Sequence, residues 1–168
     1  APTGHDHGGM STPPAAASSA VDPLADIAAG ARLEVPSAWL GQLESVYSIY
    51  FELQNALSHD KQRKARKQAG KLGAVASKVD MSLLSGEAHE LWMAILPSLR
   101  ESAKAIDEAG DIEVARREFE GLSAAVAALG KRFGREDGKE LLVYHCSMAF
   151  DFQGADWLQE TEGTENPY

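Results

Sequence analysis

The chain has a single cysteine, Cys146, which excludes an internal disulfide. It has no run near the roughly eighteen consecutive apolar residues of a membrane span, and no secretory signal. Positive charge is scarce too. With 16 Lys and Arg against 25 Asp and Glu, the net charge of -9 argues against a nucleic-acid partner, because phosphate recognition needs a basic surface. Runs of Val and Ile are few, whereas Ala, Leu, Glu, Lys, Arg and Gln abound, so an all-helical fold is expected over a sandwich.

Enzyme signatures are missing as well. His89-Glu90-Leu91-Trp92-Met93 places a methionine where a zinc protease has its second histidine. Glu87-Ala88-His89-Glu90 does not supply the Glu-x-x-His of a di-iron bundle. No Cys-x-x-Cys-His, phosphate loop or dinucleotide fingerprint occurs, and His145 beside Cys146 lacks the orienting third group of a nucleophile pair. The expectation is a protein without catalytic activity.

What the chain does contain is Tyr144-His145-Cys146-Ser147-Met148. Thiolate, imidazole and thioether are the ligands that soft ions such as Cu(I) and Ag(I) select, where Mg or Ca would require carboxylates. The alternative is a small buried cysteine with a methionine filling core space.

Residues 1–36 are rich in Ala, Gly, Ser and Pro and are read as a flexible leader outside the core. His5-Asp6-His7-Gly8-Gly9-Met10 within it could capture a metal weakly or be a low-complexity tail. Its start, Ala1-Pro2-Thr3, suits equally a terminus left by signal cleavage or one set by an arbitrary cut. The domain proper is read over 37–168. Trp39, Leu43, Val46, Tyr50, Leu53 and Leu57 line one face of a first helix opened by Pro36, with Ser37 as its cap. A second helix buries Ala65, Ala69, Leu72, Val75 and Val79, and its other surface carries Lys61, Arg63, Lys64, Arg66, Lys67 and Lys71.

A third helix begins near Glu87, buries Trp92, Ile95, Leu99, Ala103 and Ile106, and is kinked at Pro97. Asp111 caps a fourth, which buries Ile112, Ala115, Phe119, Leu122, Val126, Leu129 and Phe133. Short connections then imply an antiparallel up-down-up-down four-helix bundle. After Gly134 an irregular C-terminal tail is expected, with 141–144 extended.

In such a bundle the fourth helix ends at the pole where the third begins, so the tail emerges beside Met81, His89 and Met93. The expected metal site is Cys146 and Met148 first, then His89, with His145, Met93 and Met81 as supplementary ligands. If 141–146 is extended, His145 and Cys146 point to opposite faces. His59 lies at the far pole and is left out.

These residues resemble the DUF3347 family, helical domains found alone or fused to periplasmic adaptor subunits of copper and silver efflux systems. The carriers are Tyr50-Phe51-Glu52-Leu53-Gln54-Asn55-Ala56-Leu57, Ala88-His89-Glu90-Leu91-Trp92-Met93 and the segment from Ala115 to Ser123. In the tail they are Cys146-Ser147-Met148-Ala149, Gly154-Ala155-Asp156-Trp157-Leu158 and Asn166-Pro167-Tyr168. The resemblance implies a periplasmic Cu(I) or Ag(I) binding module serving an efflux adaptor or transporter, with Cys146, Met148 and His89 as ligands. Two departures qualify it: Ser147 stands where the family usually has proline, and family members continue past the equivalent of Tyr168 into a glycine, a methionine and a second cysteine. The competing expectation is a helical interaction domain that docks an adaptor, with the cysteine motif structural.

Overall fold

The computed structural model describes residues 23–168. It is mostly helical, with four long helices and one small sheet. The order is α1 (Pro23–Ala28), α2 (Ser37–Ser58), α3 (Gln62–Ala76), a 3-10 turn (Met81–Leu83), α4 (Gly86–Glu108), α5 (Ile112–Arg132), β1 (Leu142–Cys146), a tight left-handed turn (Ala149–Phe152) and β2 (Ala155–Gln159). His5, His7, Met10 and the Ala1-Pro2-Thr3 start lie outside the described residues.

Each long helix forms where the apolar stripe predicts it. Trp39, Leu43, Val46, Tyr50, Leu53 and Leu57 of α2 are buried, as are Trp92, Ile95, Leu99, Ala103 and Ile106 of α4 and Ala115, Phe119, Leu122, Val126 and Leu129 of α5. Asp111 caps α5 by accepting from the Val114 N–H at 2.8 Å, and Lys131 and Arg132 in the last turn complement the helix dipole. The start of α2 differs from expectation: Pro36 occupies the cap position, no side chain closes it, and Ser37 is already helical. Helix α4 continues through Pro97 as one element.

Successive long helices pack on one another. At one pole Trp39 lies edge-on to Trp92 (5.5 Å between ring centres) and against Phe133 (4.8 Å), while Gln42 Oε1 accepts from the Asp80 N–H at 2.8 Å. At the other pole Arg116 pairs with Asp60 (2.6 Å) and donates to the Leu57 carbonyl (3.0 Å).

The tail corrects the expectation of irregular structure. β1 and β2 form an antiparallel hairpin, with His145 opposite Asp156 and Cys146 opposite Ala155. The hairpin packs on α5, and Trp157 and Leu158 join the core. Tyr50 is the anchor: its buried hydroxyl accepts from the Leu158 N–H at 3.1 Å and bonds Ser123 Oγ at 2.7 Å, and its ring stacks on Phe119. Burial holds the Tyr50 phenol above its ordinary range, so it stays a neutral donor and acceptor.

The described part of the leader also departs from expectation. Leu24, Ile27, Ala28, Leu33 and Val35 pack against the core, with α1 lying on α5. The cause is Arg132, buried at the end of α5. Its guanidinium donates to the carbonyls of Ile27 (3.0 Å) and Ala31 (2.8 Å) and pairs with Glu87, and the Leu33 N–H closes on the Arg132 carbonyl at 2.7 Å. A charge can be buried when its donors are satisfied in this way.

Candidate metal centre

The chain leaves α5 at the expected pole, where Leu141 sits over Gly130: a Cβ on that glycine would come within 2.5 Å of Leu141 Cδ1. β1 then runs back along α5. Val143 and His145 line one cavity with Glu120, Ser123, Ala127 and Lys131 of α5, and Phe150 lies under the Arg117 guanidinium at 5.1 Å. From Arg132, paired with Glu87, to Arg117 is fifteen residues, or about 22 Å of helix.

The strand therefore carries Cys146 away from the pole that holds His89. Met93, one turn after His89, lines the groove between α3 and α4, whereas the hairpin lies on α5. The expected meeting of Cys146 or Met148 with His89 is not what the structure forms. A shared ion spans only about 5 Å between ligand atoms, taking the 2.3 Å of a zinc–thiolate bond as a guide. Met81 and Met93, each 44% exposed, stay near the His89 end. The reason is pairing: β1 finds its hydrogen-bond partner in β2, and β2 packs on α5, which fixes the direction of the hairpin.

Cys146, Met148 and His145 are all at the hairpin turn, on different sides. His145 projects to the face opposite Cys146, as an extended strand requires, and its Nδ1 meets Asp156 Oδ1 at 2.6 Å. Cys146 faces the C-terminal segment. Burial pushes its thiol up, but hydrogen bonds from the Asn166 side chain and from the backbone N–H groups of Met148 and Ala149 outweigh it and hold the thiol below its ordinary value. Met148, two residues on, is 69% exposed.

The turn that follows is conformationally costly. Phe150, Asp151 and Phe152 all have positive φ (53°, 58° and 66°), and such left-handed geometry costs roughly 1–2 kcal/mol per non-glycine residue. Gly154 ends it with φ +82°, and a side chain there would meet His145 Cε1 at 2.8 Å. Strain of this kind persists only where surrounding contacts fix it. Here they are the Arg117–Phe150 contact and the ring of Tyr168 packed on Phe150, Trp157 and Phe119.

Asn166 is the residue the sequence reading did not assign to the site. Its position depends on Gln159, buried at the end of β2, whose Oε1 accepts from Trp157 Nε1 (2.8 Å) and the Glu165 N–H (3.0 Å), while its Nε2 donates to the Gly163 carbonyl (2.8 Å). That knot folds 160–168 back, and Arg116 secures it by donating to the Pro167 carbonyl at 2.7 Å. No local spacing announces a contact across twenty residues. Asn166 appeared only within the Asn-Pro-Tyr carrier of the family resemblance.

Among the described residues no group of three or more His, Cys, Asp or Glu could hold a metal ion, so a zinc-type cluster is not formed there. Comparison with known families places the chain. A family model described as a protein of unknown function, DUF3347, matches residues 46–138. The chain belongs to this family. The match takes in His89 and Met93 and stops ahead of β1, so it includes neither Cys146 nor Met148. Comparisons with curated proteins and with solved structures gave no match.

Proposed function

We propose that this DUF3347 protein is a non-catalytic module that binds Cu(I) or Ag(I) through Cys146 Sγ and Met148 Sδ at the hairpin turn. What supports the reading is that Asn166 and the backbone of Met148 and Ala149 hold the Cys146 thiol below its ordinary value, with the exposed thioether of Met148 two residues on. These hydrogen bonds favour thiolate, the form that ligates metal, and a thiolate with a thioether suits a soft monovalent ion rather than Zn(II). The ion is cargo, taken up and released by ligand exchange. His145, on the other face, and His89, Met81 and Met93, near the far pole, are not in this set.

The pole contacts support an antiparallel up-down-up-down bundle as the scaffold. The family resemblance supports a periplasmic setting and delivery to an efflux adaptor or transporter. Dialysis of the protein against Ag(I) with Zn(II) in excess tests the selectivity. Retention of silver is expected, and stoichiometric displacement by zinc would overturn the reading.

One observation favours an interaction domain instead. Val143, Met148 and Phe152 are 56%, 69% and 77% exposed on one hairpin, a group of apolar side chains able to dock a partner. In that case Cys146→Ser would leave partner binding intact.

A further inference from the structure

Charge is unevenly distributed over this acidic molecule. Residues 61–71 hold six of its 16 Lys and Arg and no Asp or Glu. All six cations, Lys61, Arg63, Lys64, Arg66, Lys67 and Lys71, are exposed. The buried side of α3 is Ala65, Gln68, Ala69, Leu72 and Ala76, which leaves Lys64, Lys67 and Lys71 as a stripe at steps of three and four on the outer side, continued past the helix end by exposed Lys78.

Among the described residues none of these side chains forms an ion pair. Arg66 is engaged only with the Asp107 carbonyl. Carboxylates do border the helix, but among the described residues none forms an ion pair with these cations: Glu44 and Glu160, in the cleft that Lys64 borders, are held by Arg135, Glu52 accepts from Gln68, and Asp107 lies against Gly70. The carboxylates at the edges of the helix are engaged elsewhere or unpaired with it, and the outer stripe of lysines is left without a counter-charge in ion-pair contact.

We propose that the outer face of α3 docks on the surface of an anionic phospholipid bilayer. The composition of the face chooses between polyanions. Protein interfaces have a desolvated core rich in aromatic residues, Met and Arg and poor in Lys, whereas α3 presents lysines and no exposed large apolar side chain. Lysines without an apolar anchor suit a diffuse layer of phosphate headgroups that the ammonium groups approach while still hydrated.

The placement has a consequence for orientation. α3 packs on α2 and α4, while α5 carries the hairpin with Asp151 and Asp156. Lipid anions attract the first face and repel the second, so the docked molecule holds its hairpin turn away from the membrane.

The test is co-sedimentation of the full chain with vesicles of phosphatidylcholine alone and of phosphatidylcholine with phosphatidylglycerol. Binding is expected to the anionic vesicles only. It should disappear as ionic strength rises from about 0.01 M to about 1 M and the screening length falls from about 30 Å to about 3 Å. Each cation near the surface contributes about fivefold to partitioning, so the triple variant Lys64→Gln, Lys67→Gln, Lys71→Gln should bind roughly a hundredfold more weakly. Glutamine is as good a helix former as lysine, and an unchanged circular dichroism spectrum would show that the fold survives. Failure of the parent to bind anionic vesicles at low salt, or equal binding by the triple variant, would overturn the proposal. Tighter retention on immobilised polyglutamate than on anionic vesicles would assign the face to an acidic protein instead. Neither result depends on metal binding.

Discussion

The long helices and the hairpin are stabilised in different ways. α2 to α5 bury a continuous stripe of large side chains, among them Trp39, Trp92, Phe119 and Leu122, each wholly inaccessible. The hairpin adds Trp157 and Leu158 to that core but depends on a few polar anchors: Tyr50 on Leu158, Gln159 on the returning segment and Arg116 on Pro167. A core of many redundant contacts tolerates the loss of one, whereas a single-point anchor does not. The site proposed for the metal is on the less redundant part, where chemistry depends on placement and left-handed backbone is held by neighbours.

The largest effect should come from the helices. Trp92→Ala removes a fully buried ring in contact with Trp39 and should cost about 3–5 kcal/mol. Urea denaturation followed by fluorescence and circular dichroism should show helices and hairpin lost in one transition. A hairpin that melted separately would mean that it does not depend on the helical core.

A smaller, more local effect is expected at the anchor. Tyr50→Phe keeps the ring on Phe119 and leaves the buried Leu158 N–H without its partner, a cost of about 1–3 kcal/mol. Hydrogen exchange should quicken in β1 and β2 more than in α4. Unchanged protection in the strands would place the attachment elsewhere, with Trp157 and Tyr168 the next candidates.

The smallest effect on stability, and the most informative for the site, is at the Cys146 thiol. Asn166→Ala removes one of three donors to Cys146, so the thiol pKa should move up toward its ordinary value. Because the folded thiol is more acidic than the unfolded one, its contribution to stability is complete above the unfolded pKa, near 8.5, and is lost as pH falls through the folded value. The variant should lose stability on the alkaline side and change little in acid. Alkylation rates followed against pH give the thiol pKa directly, and an unchanged profile would mean that Asn166 does not support the thiolate.

The same contrast explains what could be read from the sequence. The helices were legible because their apolar residues recur at the helical period, and Asp111 was legible as a cap because capping is local. β2 was not legible: Ala155, Trp157, Leu158 and Gln159 are buried on both sides of the strand, so the alternation that marks a half-buried strand is absent. Phe150-Asp151-Phe152 gave no turn signal either, since none of the three is a glycine.

Cys146 and Met148 were singled out by their chemistry and remain the proposed ligands, while the opposite facing of His145 followed from strand geometry. The expected approach of Cys146 to His89 followed from helix parity, beside the resemblance that named His89 as a ligand. The structure does not form that approach, because β1 pairs with a strand that was not recognised. Asn166 depends on a return path built by Gln159, and no spacing in the sequence reveals that.

The most direct measurement is the Cu(I) affinity, by anaerobic competition against a chromophoric chelator, of the parent, Cys146→Ser and His89→Ala. The account predicts that Cys146→Ser loses more than the roughly hundredfold that removal of an outer-shell partner can cost, while His89→Ala stays with the parent. Equal losses in both variants would contradict the hairpin site and require one that joins the two ends of the molecule. Parent-like affinity in Cys146→Ser would remove the site altogether.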